Sequence, residues 1–505
     1  MDLGAAAPLA LLLLACLACL ALYLNGKQGG RGGKGRLPPG PTPLPLLGNL
    51  LQLDPNEMHR SLEKLGERFG PVYTVHLGSL PCVVLCGYQA VREALVEQAD
   101  DFSGRGDFPV GTKAGGGLRR VSPSGGIAFS NGEKWKTLRR FALHALKNFG
   151  MGRRSIEVRI QEEAQCLVQE FRKTGGAPFN PLDLVCRAVS NVICAVVFGR
   201  RFDYEDAAFL VLLNHLNDNF RIMSSAWGEL YNIFPRLMDF LPGPHHQIFR
   251  NFEKLRQFIA ERIRQHQRDL NPREPQDFID CFLVRMEQEK QDPLSHFHME
   301  TLVMTTHNLF FGGTETTSTT LRYSFLILMK HPEVAARVHE EIDRVIGPER
   351  TPCLADRKHM PYTDAVLYEV QRFISILPMG LPRAVTRDTP FRGYLLPKGT
   401  NVIPLLSSVH YDPSQFKDPT SFNPANFLGE NNEFRSSDAF MPFAPGKRIC
   451  LGAGLARMEL FLFLVTILQR FTLRPLVSPA EIDLTPQSTG LGNVPRPFQL
   501  RLLPR

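Results

Sequence analysis

The sequence predicts a mainly α-helical protein with small β-sheets, a single large body behind an N-terminal transmembrane helix. Three observations carry that expectation. Helical apolar periodicity dominates from about Gln89 to Arg344, as in Glu157 to Arg172, where apolar residues recur among Glu, Gln and Arg. Strand-like runs are few and short. No repeat with a period of about 20–50 residues occurs, which excludes a solenoid or an array of similar domains.

Composition agrees with a globular body. The 505 residues include 41 Gly and 39 Pro, below the level of low-complexity chains. The net charge of +8 is spread without a long basic tail, so the surface favours acidic partners. No nucleic-acid-binding motif is present, and 35 Phe against two Trp and ten Tyr weight the aromatic set toward burial. Ten Cys, at 16, 19, 82, 86, 166, 186, 194, 281, 353 and 450, are too sparse for a disulfide scaffold. The CxxC of Cys16 and Cys19 lies inside an apolar run, which argues against zinc or redox use.

The elements follow in order. Leu3 to Leu24 is apolar apart from small residues and Pro8. A helix of that length, at about 1.5 Å per residue, reaches roughly 33 Å and crosses a bilayer core. Asp2 precedes the run where a cleaved signal peptide would be positive; Lys27, Arg31, Lys34 and Arg36 follow it and place the rest in the cytosol. Leu37-Pro38-Pro39-Gly40-Pro41-Thr42-Pro43-Leu44-Pro45 is a stiff extended spacer, because proline fixes φ and removes donors. The expected division is an anchor over 3–24, a basic and Pro-rich linker over 25–45, and a catalytic body over 46–505. In that body Val72–Leu77 and Cys82–Leu85 read as short paired strands. Gly111 to Gly126, rich in Gly, Ser and basic residues, reads as a mobile loop. The next strand signals are Phe391-Arg392-Gly393-Tyr394 and Val402-Ile403-Pro404-Leu405, and one apolar helix closes the chain at about Leu455–Phe471.

The chemistry concentrates near the C-terminal end, in Phe443-Ala444-Pro445-Gly446-Lys447-Arg448-Ile449-Cys450-Leu451-Gly452. A Pro-Gly turn delivers one Cys just before a helix. Gly446 permits the tight fold, and Gly452 lets backbone lie close to a flat partner. Free amides at the helix start lower a thiol pKa and favour thiolate. Arg448, two residues from the Cys, can pair with an anion. Upstream, Gly312-Gly313-Thr314-Glu315-Thr316-Thr317 places poor helix formers at the centre of a long helical pattern, about Met299 to Lys330. Such local failure marks functional sites. Glu369 and Arg372, spaced i and i+3, meet on one helix face and must pair if buried. Trp135 and Arg139, spaced i and i+4, can both donate to a carboxylate.

The ten-residue Cys string resembles the heme-binding loop of the cytochrome P450 family, Phe-x-x-Gly-x-Arg-x-Cys-x-Gly, at every fixed position. The resemblance runs over essentially the whole chain. The phrases at 37–41, 148–152 and 360–366 are similar to the microsomal family-2, xenobiotic-metabolising branch. It implies the cytochrome P450 fold, heme b (iron protoporphyrin IX) as cofactor, and Cys450 as the ligand to its iron. Trp135, Arg139, Arg105, Arg383 and Arg448 resemble the residues that hold the heme propionates. Thr316 resembles the residue that hydrogen-bonds iron-bound oxygen, and Glu315 the acid that relays protons. Glu369 and Arg372 resemble the pair that locks the fold behind the Cys loop. The family often completes that cluster with Arg or His in a Pro-x-x-Phe segment; here Pro424-Ala425-Asn426-Phe427 offers the uncharged Asn426. Phe108, Asn308, Phe310, Phe311, Met379, Gly380 and Leu491 are the implied substrate-pocket residues. The loop from Asp107 to Ala128 is about seven residues longer than in relatives, which bears on substrate rather than chemistry.

The activity implied is insertion of one oxygen atom from O2 into small to medium hydrophobic molecules, such as xenobiotics or fatty acids. Electrons would come from NADPH through NADPH–cytochrome P450 reductase, with cytochrome b5 a second candidate partner. Lys134, Lys136, Arg140 and Lys447 could form the docking face for that acidic partner. The implied location is the endoplasmic reticulum membrane, with one span and the body in the cytosol. Two other readings compete: a heme-thiolate isomerase or dehydratase that needs no reductase, and a non-catalytic heme-binding membrane protein. An intact Glu315-Thr316 pair argues against both.

Overall fold

The structure is a computed structural model that describes residues 37–114, 126–149 and 154–505. The expected anchor over 3–24, with Cys16 and Cys19, lies outside the described residues, as do the basic stretch to residue 36, the centre of the long loop and the phrase at 150–152. Among the described residues no helix is long and apolar enough to cross a membrane.

The helices that position the site are α1 (Gly132–Asn148), α2 (Arg154–Lys173), α3 (Leu182–Val197), α4 (His245–Asp269), α5 (Phe278–Gln288), α6 (Met299–Lys330), α7 (Pro361–Ile374) and α8 (Ala453–Arg470). The long helix α6 lies between α3, α4, α7 and α8 and is buried over most of its length. Several of its hydroxyls are tolerated there because they bond to their own helix, whereas those of Thr305, Thr306 and Thr319 have no partner among the described residues. Thr316 Oγ1 donates to the Gly312 carbonyl at 2.8 Å, Thr320 Oγ1 to Thr316 at 2.8 Å and Ser324 Oγ to Thr320 at 2.9 Å. Ser190 Oγ of α3 donates to Thr314 Oγ1 at 3.0 Å and ties the two helices. The two glycines divide their work. A Cβ on Gly313 would stand 3.1 Å from Ile193 of α3, whereas one on Gly312 would meet no atom within 4 Å. The helix runs through the pair without a break.

The sheets are small, as expected. The largest has the order β1-β2-β6-β3, from β1 (Val72–Leu77), β2 (Leu80–Cys86), β3 (Arg383–Ala384) and β6 (Asn401–Leu405). β1 and β2 pair antiparallel with Val72 opposite Leu85. The Pro-rich spacer lies along this sheet: Thr74 N–H donates to the Pro39 carbonyl at 3.0 Å and Thr74 Oγ1 to Pro38 at 2.8 Å. Two sequence expectations need correction. Phe391 to Tyr394 is not a strand paired with Val402–Leu405 but the tip of a hairpin between β4 (Thr389–Phe391) and β5 (Tyr394–Leu396). Arg392 and Gly393 both have positive φ, 47° and 81°, the geometry of a two-residue hairpin turn, while β6 pairs with β2 and β3 instead. Second, the segment read as a loop from Gly111 begins inside a short helix, Pro109–Ala114, and ends at another, Gly126–Phe129.

The pair on α7 is fully buried. Arg372 donates to both oxygens of Glu369 at 2.8 and 2.7 Å, and to the carbonyls of His410, Pro419 and Ser421. Glu369 also accepts from the Asn423 amide at 2.8 Å and from Asn426 Nδ2 at 3.3 and 3.5 Å. Asn426 therefore fills the third place with a neutral donor.

Candidate active site

The Cys loop gets its shape from local backbone demands. Ala444 and Gly446 have φ of 52° and 80°, and the Cys450 amide donates back to the Phe443 carbonyl at 3.0 Å. A Cβ on Gly446 would lie 1.7 Å from the Leu95 carbonyl oxygen, so only glycine fits. The turn presents Cys450, whose accessible surface opens into the protein interior rather than to bulk solvent, to a cavity lined by Phe443, Ile449 and Gly452 and by Gly312, Gly313, Thr316 and Thr317 of α6. The enclosed position pushes the thiol up, while the Gly452 and Ala453 amides and the Arg139 guanidinium pull it down. The expected thiolate-favouring groups are thus present, but burial outweighs them. The cation acting on the sulfur is Arg139, not the neighbouring Arg448.

Five predicted heme-edge residues converge on this cavity from four separate segments. Trp135 and Arg139 come from α1, Arg105 from the loop before it, Arg383 from β3 and Arg448 from the Cys loop. Arg448 is buried, lies 3.7 Å over the Trp135 ring, and donates to the Ser103 and Ser130 carbonyls at 2.8 Å each, while its Nη1 has no partner. Arg383 is buried, and its Nε has no partner among the described residues. Arg105 Nε donates to the Ala128 carbonyl at 2.9 Å, and Arg139 Nη2 to Ile449 at 2.7 Å. Among the described residues none of these arginines forms an ion pair. Burial holds all four below the ordinary guanidinium range, and repulsion from neighbouring arginines adds to it at Arg105, Arg383 and Arg448, with Arg383 down to about 10 and Arg448 to about 9. Four adjacent cations, two of them with an orphaned buried donor among the described residues, require anions. A flat macrocycle bearing two carboxylates fits that demand, and the bare faces of Gly312 and Gly452 leave room for it.

Thr316 lines the cavity, but Glu315 does not. Successive helix residues point about 100° apart. Glu315 turns toward α3 and Arg322 instead, with Oε1 unpartnered. Burial pushes its carboxyl from the ordinary 4.5 up to about 8, opposed by Arg322. It therefore binds a proton in the folded chain over a pH range where the unfolded chain has lost it, so this group's contribution to stability falls as pH rises from about 4.5 to about 8. Glu315→Gln should remove that loss. The variant's thermal midpoint relative to the unaltered protein is expected to climb between about pH 5 and pH 8; a difference that stays flat with pH would count against the assignment.

Of the predicted pocket residues, Asn308 and Gly380 line the cavity, and Asn308 Oδ1 accepts from the Ala128 amide at 3.2 Å. Phe108, Phe310, Phe311, Met379 and Leu491 are not among its lining residues. Phe108 stacks on Phe129 at 5.0 Å in a cluster joined by Leu491; Phe310 is core, edge-on to Phe198; Phe311 packs on Phe220; Met379 packs beneath the first sheet. Sequence reasoning missed Glu459. This buried α8 carboxyl lines the cavity near Thr317, and burial holds it well above its ordinary range. The available signal was a lone Glu inside an apolar helix.

The comparisons with known proteins agree with this geometry. Residues 38–502 match the family model described as Cytochrome P450. The chain is 61% identical over 471 residues to Cytochrome P450 2F5 of Gorilla gorilla gorilla, covering 93% of this chain and 94% of that one. It is 60% identical to Cytochrome P450 2F2 of Mus musculus over 92% of this chain and 94% of that one. Identity to Cytochrome P450 2C5 of Oryctolagus cuniculus is 54%, over 93% and 94%. By coverage, identity and the shape of its Cys-bearing cavity, the chain belongs to the cytochrome P450 family of heme b monooxygenases.

Proposed function

We propose that this protein oxygenates small to medium hydrophobic molecules, with Cys450 as the iron ligand and Arg105, Trp135, Arg139, Arg383 and Arg448 as the holders of the heme carboxylates. The observation that carries this reading is the convergence on the cavity that Cys450 faces of four arginines with no ion-pair partner among the described residues. Heme supplies the oxygen-activating redox chemistry when bound. The chain's own residues set the conditions. The Gly452 and Ala453 amides and Arg139 stabilise charge on the Cys450 sulfur. Ile127, Ile376, Leu377 and Leu381 give the space beyond Thr316 an apolar wall that suits a greasy substrate and excludes bulk water. Thr316 Oγ1 is held on the Gly312 carbonyl, where it can accept and pass a proton into the cavity. Glu315, protonated at neutral pH, is the proton store on the next residue.

Electrons reach the site from NADPH through NADPH–cytochrome P450 reductase, with cytochrome b5 as an auxiliary donor. Lys134, Lys136, Arg140 and Lys447 are the proposed docking cations. Lys136 and Lys447 lean on Glu133 and Asp100 in exposed pairs that a partner carboxylate can exchange at little cost. The body sits on the cytosolic side of the endoplasmic reticulum membrane, held by the segment over 3–24.

Reconstitution with reductase and a panel of apolar substrates tests the reading: product should require NADPH. Product formed from peroxides without NADPH would instead favour an isomerase. Thr316→Ala should leave the carbon monoxide difference band of the reduced protein intact while product per NADPH falls by about tenfold, since a positioned proton donor contributes about that much or more. Unchanged coupling would remove Thr316 from the proton path.

A further inference from the structure

Far along the chain from the Cys loop, the end of α4 meets the start of α5 through His266, Asp277 and Asp280. Helix termini explain part of the arrangement. Asp277 caps α5, its Oδ1 accepting from the Asp280 amide at 2.9 Å, and Asp280 Oδ2 accepts from the Gln276 amide at 3.0 Å. His266 Nδ1 lies 2.8 Å from the Arg262 carbonyl, an acceptor, so Nδ1 carries a proton. Beyond capping, the facing sides of the three groups hold one ion pair and one open carboxylate oxygen. His266 Nε2 faces Asp277 Oδ2 at 2.6 Å, and Asp280 Oδ1 accepts no hydrogen bond among the described residues. One ligand-type atom from each residue lies within 4.8 Å of those of the other two.

The charge does not balance. Asp277 and Asp280 are 3% and 7% exposed, and among the described residues neither pairs with Lys or Arg. His266 supplies at most one positive charge against two buried carboxylates. Buried anions call for a matching cation, and a doubly charged one would match both.

We propose that His266, Asp277 and Asp280 bind a divalent transition ion of the zinc class, which replaces the proton on Nε2 and clamps α4 to α5. The donor set of one imidazole and two carboxylates suits that class. Each ligand is already oriented from behind: the imidazole through Nδ1–H to a backbone carbonyl, the carboxylates through backbone amides. Entry is from the His266 side, which is 17% exposed against 4% for Asp277. Coordination is a simple exchange in which the ion enters and one proton leaves Nε2.

The test uses full-length, heme-loaded protein and Zn2+ itself. Bound zinc after equilibrium dialysis, and the thermal midpoint with and without Zn2+, are compared for the unaltered protein, His266→Gln and Asp280→Asn. The Asn side chain still accepts from the Gln276 amide, so that variant keeps the fold if His266→Gln loses it. The unaltered protein should retain about one more zinc per chain than either variant, with a larger Zn2+-induced rise in midpoint, and Asp280→Asn should weaken binding at least about tenfold. Equal zinc retention by the unaltered protein and Asp280→Asn, whether because other histidines hold it or because none binds, overturns the site. Neither readout depends on turnover.

Discussion

Cys450→His should give a folded protein that has lost both the strongly red-shifted carbon monoxide band of thiolate ligation and monooxygenase turnover, the latter by about 10³-fold or more, some 4 kcal/mol of barrier. Three groups beside Cys450 suit a compact anion, against the burial that opposes it. The Gly452 and Ala453 amides and the Arg139 guanidinium all act to stabilise a negative sulfur. A neutral imidazole ligand offers them no charge to stabilise, and its electron donation is weaker than that of a thiolate. Reconstituted turnover and the difference spectrum report the two effects separately. A variant that keeps its thiolate-type band would place the ligand elsewhere and remove the central assignment.

Arg372→Met is the second large effect, and it acts on folding. The substitution strands a Glu369 carboxylate with no access to solvent and leaves the His410, Pro419 and Ser421 carbonyls without their shared donor. Breaking a buried pair from one side costs about 3–5 kcal/mol, a large share of an ordinary domain's stability. Heme-loaded protein should fall to trace yield, with the thermal midpoint of any soluble fraction well below that of the unaltered chain. Adding Glu369→Leu should recover part of the loss, because the stranded charge is then gone. A single variant within about 1 kcal/mol of the original would show that the clasp is not needed.

Legibility followed chain distance. The Cys loop could be read because turn, sulfur and helix start are contiguous, and the Glu369–Arg372 pair because i and i+3 share a face on any helix. The convergence of Arg105, Arg139, Arg383 and Arg448 could not be read from local pattern, since it depends on how a loop, α1, β3 and the Cys loop pack together. It came only through family resemblance. Glu315 and Thr316 show the limit of adjacency: one side chain faces the cavity and its neighbour faces α3, because the helix turns between them. The placement of Phe310 has a related cause. Phe310 follows Asn308 by two places, so when Asn308 lines the cavity Phe310 is carried round into the core. Phe391 to Tyr394 read as strand from composition, but two consecutive residues of positive φ turned it into a hairpin tip.

The spacer's seat on the first sheet has a mechanical consequence. Tension that reaches Leu37 from upstream is passed to Thr74, whose amide and hydroxyl grip Pro39 and Pro38. A Cβ on Gly40 would come within 1.8 Å of the Thr74 carbonyl oxygen, so the chain lies flush against that strand. Two hydrogen bonds on Thr74 spread the load through β1 into the rest of the sheet, and Asn49 Nδ2 adds a second hold on the Pro41 and Thr42 carbonyls at 3.2 Å each. The prolines therefore travel with the body as a short rigid stem.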